Sequence, residues 1–182
     1  MATKPNFSMV FLVVSGIFMV ILLVPAKADD EVIKETNMTV YFQDYSSGGP
    51  NSTYLPVVGF PGKLWTFTQF GTLFVSDDLI TEGPNPESGT VGRGQGIIVT
   101  ASLDGLNAYV SLSIVFTNDA YNGSTIQIQG NSNQFKAVRE YGVVSGTGKF
   151  RYVRGYVTFE NYFFDPSTSY GIFRCNVSIR HY

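Results

Sequence analysis

The sequence predicts an all-β protein, a single eight-stranded antiparallel up-and-down β-barrel, and three observations lead there. From residue 36 onward the apolar residues recur with a period of two rather than 3.6, and no convincing amphipathic helix interrupts them. The periodic runs are rich in Val, Ile and aromatic residues, the aromatics making up 15% of the chain, and Gly, Asn, Asp and Pro clusters separate them. Several of those separators are short, which makes consecutive strands antiparallel neighbours. Eight such strands left open expose two edges, and closing the sheet removes both. The interior of an eight-stranded barrel holds one small ligand. A two-sheet sandwich of the same strands is the architecture the pattern leaves as an alternative.

The first element is not part of the barrel. Lys4 precedes an apolar run from Val10 to Val24, broken only by Ser15 and Gly16, which closes with Pro25, Ala26, Lys27 and Ala28. Charge, short apolar core and Ala-x-Ala make a cleavable signal peptide over residues 1–28. The core is shorter than the ~20 residues that cross a bilayer, so no membrane association is expected after cleavage. Residues 29–36 read as a tail and 37–182 as the barrel domain. Losing Lys4 and Lys27 but no acid moves the formal charge from −2 to −4, which argues against nucleic acid as a partner. Asn37, Asn51, Asn122 and Asn176 each open an Asn-x-Ser/Thr sequon, and a secreted chain could carry a glycan at each.

Within the domain, Met38, Val40, Phe42 and Asp44 share one face of the first strand. Further strands are expected at 71–77, 91–102, 106–117, 123–129, 137–144, 149–160 and 170–181. Asp104-Gly105 and Asn122-Gly123 supply the positive φ angles of tight hairpins. The two longer connections, 46–70 and 79–90, are rich in Gly, Pro, Ser and Asn and are expected to rim one mouth of the barrel.

Much chemistry is excluded by counting. The one histidine, His181, is penultimate and the one cysteine is Cys175. A Ser-His-Asp triad, a zinc or copper site and a haem site each lack their ligands. No disulfide within the chain is possible, and Cys175, alternating with Phe173, Val177 and Ile179, is expected to be buried and inert. Ser145-Gly146-Thr147-Gly148-Lys149 lacks the first Gly and the Ser/Thr of a phosphate loop, and reads as a turn. No cofactor is expected, so any oxidation must be done by another protein.

Particular strings carry a resemblance over residues 38 to 182: Tyr41-Phe42-Gln43-Asp44, Gly92-Arg93-Gly94-Gln95-Gly96, Ser102-Leu103-Asp104-Gly105, Tyr121-Asn122-Gly123-Ser124-Thr125, Val138-Arg139-Glu140, and Val143 to Arg151 followed by Arg154-Gly155. In this order, after a signal peptide, the chain resembles the dirigent proteins of land plants. The resemblance implies an eight-stranded barrel, a homotrimer, an extracellular (apoplastic) location and an aromatic-lined cavity. It implies phenolic partners: phenoxy radicals generated by an auxiliary laccase or peroxidase, whose coupling the protein makes stereoselective. A related branch, the pterocarpan synthases, dehydrates an isoflavanol through a quinone methide. A wall-binding barrel without turnover is a third reading, and whether the chain is itself an enzyme stays open.

By the same resemblance Asp44 is the cavity carboxyl that exchanges a proton with the ligand, and Arg139 the guanidinium that orients it. Arg139 could instead pair with a carboxylate on an adjacent strand, Asp44 included. Phe42 and Tyr170 are expected to line the cavity. Ile98 and Ser132 stand where lignan-forming members carry Tyr and Asp, and Gly130-Asn131-Ser132-Asn133-Gln134-Phe135 resembles members outside the lignan-forming group, the pterocarpan-type branch included, which points away from coniferyl alcohol.

Overall fold

The computed structural model describes residues 32–46 and 48–182; the predicted signal peptide and the first residues of the tail lie outside them. Nine strands form one antiparallel sheet: β1 (Lys34–Tyr45), β2 (Tyr54–Val58), β3 (Leu73–Thr81), β4 (Thr90–Thr100), β5 (Asn107–Phe116), β6 (Thr125–Asn133), β7 (Val138–Thr147), β8 (Arg154–Asp165) and β9 (Tyr170–His181). The order is β1-β9-β8-β7-β6-β5-β4-β3-β2, and a β1–β3 ladder closes it. The closed barrel therefore has the predicted eight strands, β1 and β3 to β9, and the sandwich is excluded.

The ninth strand has a specific place. β1 meets β3 only at Tyr41↔Thr81, Phe42↔Ile80 and Gln43↔Leu79. The rest of the β3 edge would stand open, and β2 fills it with Tyr54↔Ser76 and Leu55↔Val75. The segment 46–70, read as a loop, thus hides a short strand. Its alternation is interrupted by Pro56 and a register shift between Pro56 and Val58, so no period of two is visible there.

Because β3 runs between the two long connections, they lie at opposite ends of the barrel rather than around one mouth. The tight hairpin expected at Asp104-Gly105 is a six-residue connection, 101–106, in which Gly105 has φ +74°. The expected start of a strand at 149 is a 3₁₀ turn, Gly148–Phe150, and β8 begins at Arg154.

Inward side chains divide the interior in two. Toward the end carrying 82–89, 117–124 and 148–153, the barrel is filled by Ile114, Phe116, Ile126, Phe150, Val153, Val157 and Ile179, all essentially without solvent exposure. Phe150 sits at the centre of this plug, with ring centroids 5.1 Å from Phe116, 5.0 Å from Tyr121 and 5.1 Å from His181. Cys175 is buried in the same interior, which pushes its thiol above the ordinary range and keeps it protonated. Of the sequons, Asn37, Asn51 and Asn122 are exposed, whereas Asn176 is half-buried and accepts a hydrogen bond from Thr39 Oγ1 at 2.9 Å.

Phe42 forms the floor between plug and cavity, and it fits because β4 faces it with Gly94 rather than a side chain. A Cβ on Gly94 would lie 2.2 Å from Phe42 Cε1. Gly94→Ala must displace that ring, and the overpacking is expected to cost about 1–3 kcal/mol. Thermal unfolding checks this: a Tm equal to that of wild type would show that the floor yields freely.

Candidate functional site

At the other end, where 46–72, 101–106, 134–137 and 166–169 connect the strands, the interior opens as a cavity of about 430 Å³. That volume lies within the range of small-ligand sites. Its middle is apolar, with Phe42, Ile98, Val110, Leu112, Phe159 and Phe173, and its mouth carries Phe67, Phe135, Phe163 and Phe164. Polar groups converge from two walls.

The first wall is acidic. Alternation along β1 places Asp44 inward after Val40 and Phe42, and alternation along β3 places Ser76 and Asp78 inward after Phe74. Asp78 accepts hydrogen bonds from Thr53 Oγ1 at 2.6 Å and Ser76 Oγ at 2.9 Å. Asp44 makes no side-chain hydrogen bond among the described residues. Burial, and then the nearby Asp78 charge, push the Asp44 carboxyl up to about 8. Burial also raises Asp78, to about 6, but its two hydroxyl donors hold it below Asp44. The pair therefore keeps a proton to higher pH than ordinary carboxyls would, and Asp78, with its two hydroxyl donors, is the member better able to carry the charge. β2 contributes Tyr54, whose ring stacks on Phe74 at 4.7 Å. Burial and the two carboxylates push its phenol upward, so it stays a neutral donor.

The second wall is cationic. Arg139 on β7 donates from Nη2 to Asn161 Oδ1 on β8 at 2.7 Å, and its guanidinium carbon stands 5.3 Å from the Phe173 ring centroid. Its Nε is buried without a partner. The expected alternative, an ion pair with Asp44 or another carboxylate, is not formed: the ion pairs among the described residues are Arg93–Asp77, Arg174–Glu160 and Arg180–Glu35. Burial lowers the proton affinity of Arg139, yet a guanidinium keeps its charge. Beside it, Tyr141 is held neutral by burial, and Ser132 is within hydrogen-bonding reach of its hydroxyl.

Of the residues singled out in the sequence, Asp44, Arg139, Phe42 and Ile98 line this one cavity. Ser132 reaches it only through Tyr141. Tyr170 does not line it: its hydroxyl donates to Gln43 Oε1 and its ring stacks on Tyr45 at 4.5 Å, outside the barrel's inner face. The sequence reading missed Asp78, Tyr54, Tyr141 and Asn161. Asp78 was detectable, since Phe74, Ser76, Asp78 and Ile80 keep the period of two, but ending the strand at 77 cut it off. Tyr54 carried no signal because its strand is too short to show alternation.

The family model for dirigent-like proteins matches residues 35–180. Dirigent protein 23 of Arabidopsis thaliana is 36% identical over 148 residues, covering 81% of this chain and 79% of its own. Pterocarpan synthase 1 of Glycine max is 33% identical over 148 residues, with coverage of 81% and 79%. Among solved structures, the pterocarpan synthase dirigent protein GePTS1 superposes with a TM-score of 0.74 at 31% identity, covering 84% of this chain and 87% of that one.

Proposed function

The chain belongs to the dirigent-like protein family, and from that premise we propose that it converts a phenolic alcohol through a quinone methide, with Asp44 as proton donor. One observation carries this reading: the Asp44 carboxyl, raised to about 8 by burial and by Asp78, has no hydrogen-bond partner among the described residues and faces an aromatic cavity beside Asp78. A protonated acid at neutral pH is what departure of a benzylic hydroxyl as water requires. In the proposed sequence the benzylic C–O bond breaks as Asp44 gives its proton to the leaving oxygen, and the substrate phenol loses its proton to Asp78. A second phenol oxygen on the same molecule then attacks the methide carbon, its proton returning to Asp44 while the first phenol recovers a proton. The net change is the loss of one water, with no oxidant.

Two relatives named as pterocarpan synthases support the dehydrating reading, as do Ile98 and Ser132 at the places where lignan-forming members are expected to carry Tyr and Asp. A second reading, stereoselective guidance of phenoxy radicals made by a separate laccase or peroxidase, is favoured by the breadth of the aromatic lining. Incubation with an isoflavanol in the absence of oxidant tests the first, read as loss of water by mass spectrometry. No turnover, together with an enantiomeric excess from coniferyl alcohol plus oxidase, would replace the first reading with the second.

Secretion to the apoplast and glycosylation belong to the same proposal. So does a homotrimer, for which the outer face of β3 to β5 offers Val75, Ile97 and Tyr109, each more than a third exposed. Sedimentation of the deglycosylated protein at micromolar concentration is expected to give three chain masses. A monomer throughout would refute the assembly.

A further inference from the structure

Building on the reading that the cavity binds aromatic ligands, we propose that the Arg139 wall is an anion subsite and that the ligand it prefers is a phenolic acid, an aromatic ring bearing a carboxylate. The Arg139 charge meets no carboxylate partner among the described residues. Among the described residues Arg139 forms no ion pair, its Nε is buried without a partner, and its side-chain hydrogen bond runs to the neutral amide oxygen of Asn161. The two cavity acids do not answer it. They stand on β1 and β3, whereas Arg139 stands on β7, and the neighbour that acts electrostatically on its guanidinium is Tyr141. Asp78 already has Thr53 and Ser76 as donors.

A guanidinium partly withdrawn from water, with its Nε sealed and no counter-charge among the described residues, is unfavourable, and an anion that enters beside it removes that penalty. The geometry selects the kind of anion. The guanidinium stands against the Phe173 ring, and its in-plane donor fork matches the two oxygens of a carboxylate. The Asn161 amide nitrogen, which makes no hydrogen bond among the described residues, adds donors at the same place. A hydroxyl, methoxyl or ester oxygen would accept one bond and leave the charge unanswered. The aromatic part of the ligand would lie over Phe42 and Phe173, between this wall and Asp44.

Calorimetric titration of the wild-type protein at neutral pH with 4-hydroxycinnamate, its methyl ester and the matching alcohol tests the subsite, since all three keep the ring and the phenol and differ at the carboxylate. The acid is expected to bind about tenfold or more tightly than the ester, the span of one charge-assisted hydrogen bond. Arg139→Gln should abolish the difference, weakening the acid more than the ester, and Arg139→Lys, which keeps the charge, should retain part of it. Equal wild-type affinity for acid and ester, or a preference that survives in Arg139→Gln, would overturn the subsite alone. Failure of all three ligands to bind would overturn the phenolic reading of the cavity and this inference with it.

Discussion

Asp44→Asn is expected to lower turnover of a phenolic alcohol by roughly 10²–10⁴-fold, the usual contribution of a positioned acid, while the barrel folds at least as stably as wild type. The two effects have one origin. The folded protein holds a proton on Asp44 up to about pH 8, whereas the unfolded chain releases it near 3.8. Between those values the native state binds the extra proton, so stability falls as pH rises from about 4 through 8. An amide in place of the carboxyl cannot ionise and escapes that loss. The wild-type rate should correspondingly decline as pH rises through about 8, where Asp44 ceases to be an acid. Rate against pH for both proteins, together with thermal unfolding at pH 6 and 9, checks the set. A variant with wild-type turnover would remove Asp44 from the chemistry. A variant that lost turnover and stability together would mean that the residue is structural.

Phe150→Ala carries the largest expected loss of stability, about 3–5 kcal/mol for an aromatic deleted from a sealed interior. Phe150 has no solvent exposure and meets three aromatic rings within 5.1 Å. The 3₁₀ turn that carries it lies at the end of the barrel, where β6, β7 and β8 give little room for collapse. For a domain of this size, each kcal/mol shifts Tm by roughly 2–4 °C, so scanning calorimetry should record a fall of about 6–20 °C. Phe150→Leu, which keeps most of the volume, should recover much of it. A Tm within two degrees of wild type for Phe150→Ala would show that the plug is dispensable.

The legible parts of this fold were those with enough residues to display a period. β1, β4, β5 and β9 each run ten residues or more, and the Val40-Phe42-Asp44 alternation correctly sent Asp44 inward. Phe150 was read as a strand residue because a three-residue turn has no period of its own. β2 escaped for the same reason, and Tyr54 with it. The state of Asp44 was readable only in direction, as a carboxyl in an apolar barrel. Its neighbour Asp78 comes from a strand 34 residues further along, and no local pattern announces that closure sets the two side by side. That Arg139 faces no carboxylate among the described residues is likewise a property of closure, because it depends on which strands end up opposite.

The ladder between β1 and β9 also bears on how the molecule is made. It pairs residues along the full length of both strands, from Lys34↔His181 to Tyr45↔Tyr170, and so joins the first strand to the last. Synthesis proceeds from the other end of that pairing. When β8 has emerged from the ribosome, the nascent chain is an unclosed sheet, and β1 has only its short contact with β3 to hold it. Until β9 arrives, β8 is an unpaired edge able to recruit another chain. A pairing so distant in sequence is slow to find, so the interval before closure is when that edge stands exposed. Truncation before β9, Tyr170–His181, would yield a chain with most of its strands and no way to shut.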